Sequence, residues 1–217
     1  MTAIESPVPD DNATAVTAVT AAAGPPANSD SAAAAARDSE LLNIASMVPC
    51  VLLGAHKALV LAPRSCALAP LSYIAACIVS SAFHAHCYLY SAADSPENLK
   101  SLSHSRFLRA DLSAQLVTCA FTVAHTSFGA NGLAFVLACA VASSAVDLRR
   151  HRAAAFAING VCIVVSSGPQ PIEVYAMWAA TFSLFYATFV RPNRWTHAAF
   201  HLGIDVALHS VWKRLIC

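Results

Sequence analysis

The chain carries few charged residues. Of its 217 residues, 12% are charged and 57% are apolar, whereas charged residues make up about a quarter of an average globular domain. A soluble helical bundle needs a charged outer face on each helix, and the later apolar segments of this chain offer almost none. The basic residues separate apolar segments and form no continuous stripe, which argues against a nucleic-acid-binding protein. The composition therefore favours an integral membrane protein.

Residues 1–40 lack aromatic side chains and contain six acidic residues against one basic residue. They consist largely of Ala, Thr, Ser and Pro, and this composition buries too little apolar surface to offset the entropy lost on ordering. No basic segment precedes the Ala-rich stretch, as a secretory signal peptide would require. We therefore predict a disordered tail over residues 1–40 and a membrane domain over residues 41–217, whose first helix serves as the uncleaved signal.

The membrane domain contains apolar runs long enough for spanning helices, each of which needs about 20 mostly apolar residues. The runs are rich in Ala and Leu and show no sustained alternation of polar and apolar residues, so helix is favoured over strand. Pro, Gly and clusters of charge separate the runs. We predict an all-α bundle of seven spans at residues 41–61, 67–90, 107–128, 131–146, 153–167, 172–190 and 195–215.

The basic residues also bear on orientation. With a cytosolic N-terminus, nine of the thirteen basic residues fall on the cytosolic side, which satisfies the positive-inside rule. Cys217 follows Lys213 and Arg214, and palmitoylation of this cysteine would instead need a cytosolic C-terminus. We rank the charge count above the single cysteine. The expected location is a multi-pass position in the plasma membrane or an endomembrane, with the oligomeric state left open.

Ionisable side chains inside spans are costly in lipid and therefore mark candidate functional sites. Ser80 and His84 lie four residues apart near the end of the second span, Asp111 lies near the start of the third, and His197 and His201 lie four residues apart at the start of the seventh. Each pair therefore shares one helix face. These three span ends lie on the same side of the membrane in either orientation, so we predict that the side chains converge.

Three imidazoles with one open position are typical of a catalytic zinc site. The spacing of His197 and His201 suits one metal ion, although histidines at helix ends also serve as interfacial anchors. The placement of His84 and Asp111 on the same side strengthens the case for a Zn²⁺ site, and both interpretations stay open on the spacing and placement of these residues.

These residues resemble motifs of the CREST superfamily of seven-span membrane hydrolases, which includes alkaline ceramidases and the progestin and adipoQ receptors. The motifs are Ser-x-x-x-His ending the second span, Arg-x-Asp opening the third and His-x-x-x-His opening the seventh. The segments 83–87 (Phe-His-Ala-His-Cys) and 109–111 (Arg-Ala-Asp) are most similar to the transmembrane-8 and myomaker branch. His86 is an additional imidazole here, and the branch implies a non-cytosolic N-terminus, opposite to the charge count.

The resemblance implies that His84, His197 and His201 bind zinc, with Asp111 on the zinc-activated water and Ser80 near the same site. It implies a hydrolase in which this water attacks the acyl carbonyl of a lipid amide or ester, in a sphingolipid or a glycerophospholipid. The myomaker branch equally allows a non-enzymatic membrane-remodelling or receptor-like protein, in which the metal ion is structural.

Other polar residues leave two interpretations open. Lys100, Arg106 and Arg109 lie at the predicted site's membrane surface, where they could hold a phosphate headgroup or serve as interfacial anchors. Asp205 lies one turn beyond His201 and could support the metal site or form a hydrogen bond to a neighbouring helix.

Overall fold

The chain folds entirely into helices over the residues that the computed structural model describes, which are 29–61, 67–90, 102–148, 150–190 and 195–214. These residues form seven α-helices and no β-strand, which confirms the predicted all-α class. The helices are α1 (Ser29–Leu61), α2 (Leu68–Tyr90), α3 (Leu102–Val123), α4 (Gly129–Ala145), α5 (Arg152–Ser166), α6 (Ile172–Val190) and α7 (Thr196–Trp212).

The largest difference from the sequence prediction is at the start of α1. The helix begins at Ser29, so the predicted boundary at residue 41 is corrected, and residues 29–40 belong to a helix. The physical reason is the alanine-rich stretch before Arg37, because alanine has the highest intrinsic helix propensity and a continuing apolar helix follows it. Residues 1–28 of the predicted tail lie outside the described residues.

Two helical segments are long and apolar enough to cross a membrane, Arg37–Val60 within α1 and Leu68–Leu89 within α2. The apolar helices α4 and α5 contain 17 and 15 residues. At a rise of about 1.5 Å per residue, α5 spans about 22 Å, less than the hydrocarbon core of about 30 Å. The two longer segments give limited support to membrane association, and the seven-span bundle stays a prediction.

Six of the helices form a ring. Around the ring, α1 packs against α2, α2 against α3, α3 against α5, α5 against α6, α6 against α7, and α7 returns to α1. The contact between α5 and α6 is the sparsest of these, and α4 packs against α3 and α5. The ring encloses a cavity to which α4 contributes no lining residue. The centre of the ring is therefore the place where a site can be enclosed.

The end of α4 is held by Arg109 of α3. Its guanidinium donates hydrogen bonds to the carbonyl oxygens of Ser143 at 3.2 Å, Ser144 at 3.0 Å and Val146 at 2.8 Å. Carbonyls in the last turn of a helix lack partners within the helix, so Arg109 satisfies those of Ser144 and Val146 and shares that of Ser143 with the backbone N–H of Val146. Arg109 thus fastens α4 to α3 instead of facing a headgroup. Of the other two basic residues considered for that role, Arg106 is exposed and Lys100 lies outside the described residues.

Apolar side chains cover the outer surface of this ring, and polar side chains lie inside it. Each helix exposes at least one large apolar side chain: Leu59, Ile78, Val117, Val141, Val161, Tyr186 and Val206. The buried polar side chains include Asn43, Ser80, His84, Asp111, Asn159, His201 and Asp205. A soluble helical domain shows the opposite distribution, with its polar residues mostly exposed.

Candidate metal centre

Three histidines converge at one end of the cavity. His84 extends from α2, and His197 and His201 extend from the first two turns of α7. One ligand nitrogen from each lies within 4.8 Å of the others, and the ring centroids are 4.7–5.2 Å apart. His84 and His201 are buried, and His197 is half-buried. The three imidazoles could hold one metal ion.

Close helix packing places α7 where its histidines meet His84. The helix packs against both α1 and α6, and Gly203 lies half a turn beyond His201. A Cβ atom at Gly203 would lie 2.7 Å from Oγ1 of Thr181 on α6. Glycine therefore permits an approach between α6 and α7 that a larger residue would prevent.

The histidines have hydrogen-bond partners on α1 that the sequence interpretation missed. Oε2 of Glu40 lies 2.6 Å from Nδ1 of His84, and Oγ of Ser46 lies 2.8 Å from Nδ1 of His201. The sequence prediction places Glu40 in the disordered tail. The available signal was the spacing of Glu40, Asn43 and Ser46, which repeats every three residues and places three polar side chains along one face of α1.

Asp111 and Ser80 line the same cavity as the three histidines. Asp111 is 5% exposed, and its Oδ2 accepts a hydrogen bond from Nε2 of Gln115 at 3.4 Å. Its Oδ1 is buried and has no hydrogen-bond partner among the described residues. Ser80 lies one turn before His84 on α2. The five residues singled out in the sequence are therefore neighbours in space, whereas their chemical roles stay predictions.

The cavity has a volume of about 110 Å³, and most of its lining is apolar. A second pocket of about 850 Å³ lies against α5 and α6, and it is lined in part by the exposed side chains of Val161 and Tyr186. The two pockets share four lining residues, Phe156, Gly160, Phe182 and Phe185. The cavity thus adjoins an apolar groove on the outer surface of the ring.

The remaining sequence candidates lie apart from the histidine cluster. His86 stacks on Phe107 with a centroid separation of 4.5 Å. Asp205 accepts a hydrogen bond from the hydroxyl of Tyr73 on α2 at 3.2 Å, which confirms the interhelical hydrogen bond considered for it. Cys217 lies outside the described residues.

No protein-family model, curated protein or solved structure matches the chain. The resemblance to the CREST superfamily rests on the polar positions in α2, α3 and α7 and stays a prediction. What the structure provides is a buried group of three imidazoles beside a carboxylate. Imidazole suits Zn²⁺, and also copper, iron and nickel ions, so the choice of metal is a matter of proposal.

Proposed function

We propose that the chain is a multi-pass membrane protein that binds Zn²⁺ through His84, His197 and His201 and hydrolyses an acyl amide or ester bond in a membrane lipid. The observation that carries this proposal is the convergence of three imidazoles beside the buried Asp111 at one end of a mostly apolar cavity. The resemblance of the motifs to the CREST hydrolases points to the same chemistry.

The distribution of side chains supports a seven-span arrangement. Large apolar residues are exposed on each of the seven helices, among them Leu59 at 77% and Ile172 at 76%. Monomeric soluble proteins rarely expose contiguous apolar patches of more than a few hundred Å². Lipid would cover this surface at no hydrophobic cost, while the polar groups remain inside the ring. The shorter helices α4 and α5 require local thinning of the bilayer, which costs a fraction of a kcal/mol per Å.

The number of protein ligands supports a catalytic site over a structural one. The group within ligand distance contains three histidines and no fourth His, Cys, Asp or Glu among the described residues. Structural zinc sites almost always have four protein ligands, whereas catalytic sites have three and keep a position open for water or substrate. A non-enzymatic protein with a structural metal ion, which the myomaker branch allows, would need a further ligand.

Bound Zn²⁺ would supply Lewis-acid polarisation of the acyl carbonyl and hydroxide near neutral pH. Asp111 is the residue placed to handle protons, because its Oδ1 has no partner among the described residues. We assign this oxygen to accept the proton of the attacking water and to return it to the leaving group. The Ser80 hydroxyl, one turn before His84, would donate a hydrogen bond to the carbonyl oxygen as negative charge develops.

The surroundings of the site suit a lipid. The apolar lining of the cavity would receive an acyl chain and exclude bulk water, and the groove along α5 and α6 adjoins it at Phe156, Gly160, Phe182 and Phe185. An acyl chain from the bilayer could pass between these two helices, whose mutual contact is sparse. A polar substrate would find few hydrogen-bond partners along the groove.

Metal content is the first test. Full-length protein purified in detergent is expected to contain one zinc ion per chain, measured by elemental analysis. His84→Ala, His197→Ala and His201→Ala should each lose the metal. His86→Ala is the matched control, because its imidazole lies two residues from His84 and outside the cluster. Wild-type protein without stoichiometric metal, or metal loss in His86→Ala alone, would contradict the proposed site.

Turnover is the second test. The purified protein is incubated with N-acyl sphingoid lipids and with ester phospholipids, and released fatty acid is measured. We expect release by the wild type and none by His197→Ala. Stoichiometric zinc without release from either lipid class would contradict the hydrolase and favour the non-enzymatic alternative.

A further inference from the structure

The face of α1 that meets the metal centre carries Glu40, Asn43 and Ser46 at intervals of three residues. Glu40 contacts His84 at 2.6 Å, and Ser46 contacts His201 at 2.8 Å. The contacts cross 44 and 155 residues of sequence, so they are tertiary contacts and not local hydrogen bonds within a helix. The side chain of His84 is 4% exposed and that of Glu40 is 23% exposed. α1 thus touches two of the three imidazoles.

The contact with Glu40 fixes which nitrogen of His84 is available to a metal ion. A carboxylate accepts hydrogen bonds and donates none, so Nδ1 of His84 must carry the proton that it shares with Glu40. The lone pair of the neutral ring then lies on Nε2. Asn43 completes the arrangement, because its Nδ2 lies 3.3 Å from Oε2 of Glu40 and 3.5 Å from Nδ1 of His84. Since Nδ1 is itself a donor, the amide hydrogen goes to Glu40 and steadies the carboxylate.

The same logic applies to His201. The hydroxyl of Ser46 donates its single proton to the carbonyl oxygen of Asn43 at 2.6 Å. Because its proton is already donated, Oγ of Ser46 can only accept a hydrogen bond from Nδ1 of His201. Nδ1 therefore again carries the proton, and Nε2 carries the lone pair. Two imidazoles from different helices are thereby set in the same tautomer by one face of α1.

We propose that Glu40 is a positioning residue of the metal centre, with Asn43 holding its carboxylate and Ser46 performing the equivalent task for His201. The inference rests on the proposed metal site and adds that α1, which supplies no ligand, sets its affinity. A carboxylate that accepts the outer N–H of a ligating histidine fixes the tautomer and orientation of the ring and raises its basicity as a ligand. Loss of such a partner weakens metal binding by about 10–100-fold.

The experiment measures the Zn²⁺ affinity of the full-length protein in detergent by competition with a chromophoric chelator. Glu40→Ala is expected to weaken binding by about 10–100-fold. Glu40→Gln should bind with intermediate affinity, because its amide oxygen still accepts the N–H of His84. Ser46→Ala should weaken binding through His201. The matched control is Asp38→Asn, which removes the same charge from an exposed position two residues earlier on α1 and should leave the affinity unchanged.

Cobalt substitution provides a measurement that would not change if Glu40 only stabilised the fold. The visible absorption of Co²⁺ depends on the geometry of its ligands, so Glu40→Ala should change the band positions and intensities, and Glu40→Gln should largely restore them. The thermal unfolding of the metal-free forms shows whether the variants fold alike.

The outcomes separate this inference from the proposed function. If the wild type binds zinc and Glu40→Ala binds it with the same affinity and the same cobalt spectrum, the positioning role is wrong and the metal site stands. If the wild type itself binds no zinc, both are wrong. An equal loss of affinity in Asp38→Asn and Glu40→Gln would also overturn the inference, because a general charge effect would then explain it.

Discussion

The two walls of the cavity differ in how their polar groups are satisfied. On the wall formed by α1, α2 and α7, three pairs of polar side chains meet across helices, His84 with Glu40, His201 with Ser46 and Asp205 with Tyr73, although Oδ1 of Asn43 and Nδ1 of His209 have no hydrogen-bond partner among the described residues. On the wall formed by α3 and α5, buried oxygen atoms of lining residues have no hydrogen-bond partner among the described residues. These atoms are Oδ1 of Asp111, Oγ1 of Thr122 and Oδ1 of Asn159.

This difference suggests separate roles for the two walls in the proposed function. A buried polar group without a partner costs about 1–3 kcal/mol, so the oxygens of the second wall are available to an incoming donor. Water, the N–H of an acyl amide or the hydroxyl of a lipid supplies such a donor, whereas an ester group has none. On the proposed function, the first wall, with its three pairs across helices, would hold the metal ion, and the second wall would meet the lipid.

The largest expected effect comes from the wall formed by α3 and α5. Asp111→Asn removes the proton acceptor while leaving the three imidazoles in place, so lipid turnover should fall by about 10²–10⁴-fold with the zinc content unchanged. Fatty-acid release and elemental analysis of the same preparation check this result. Loss of zinc in Asp111→Asn would show that Asp111 helps to hold the metal ion, and the proposed difference between the two walls would then be wrong.

A smaller effect is expected at the contact between α3 and α4, where Arg109 of α3 donates hydrogen bonds to the end of α4. Hydrogen bonds from a charged donor contribute about 1.5–3 kcal/mol, so Arg109→Ala should lower the free energy of unfolding by about that amount while the zinc content stays the same. Denaturant unfolding in detergent measures the change. Arg106→Ala is the control, because that side chain is exposed three residues earlier on α3. Zinc loss at unchanged stability would instead place Arg109 at the site.

The smallest effect is expected on the wall formed by α1, α2 and α7. Tyr73→Phe removes one hydrogen bond to Asp205 and should lower the free energy of unfolding by about 1.5 kcal/mol, the lower end of the range for a single hydrogen bond to a charged group, without changing Zn²⁺ affinity. A double-mutant cycle with Asp205→Ala, which removes the acceptor, isolates the pairwise contribution. A coupling energy of zero would show that this wall is not held by its interhelical hydrogen bonds, contrary to the comparison.

Two kinds of regularity in the sequence predict the helices and the three clustered histidines. Long apolar runs separated by breakers placed α2 and α6 within a residue or two of their observed ends. Alternation of direction in a helical bundle required the end of α2 and the starts of α3 and α7 to meet, and His84, Asp111 and His201 do line one cavity. Composition failed at the start of α1, because alanine is common both in tails of low complexity and in helices.

The sequence by itself determined the helical class, the apolar character of the surface and the histidine pair of α7, because these follow from composition and from spacing within one helix. Only the tertiary structure decided that Glu40 contacts His84 and that Ser46 contacts His201. It also decided that Arg109 donates hydrogen bonds to the end of α4 instead of facing a ligand. The physical reason is that helix periodicity relates residues three or four positions apart, whereas contacts between helices depend on the packing of side chains distant in sequence.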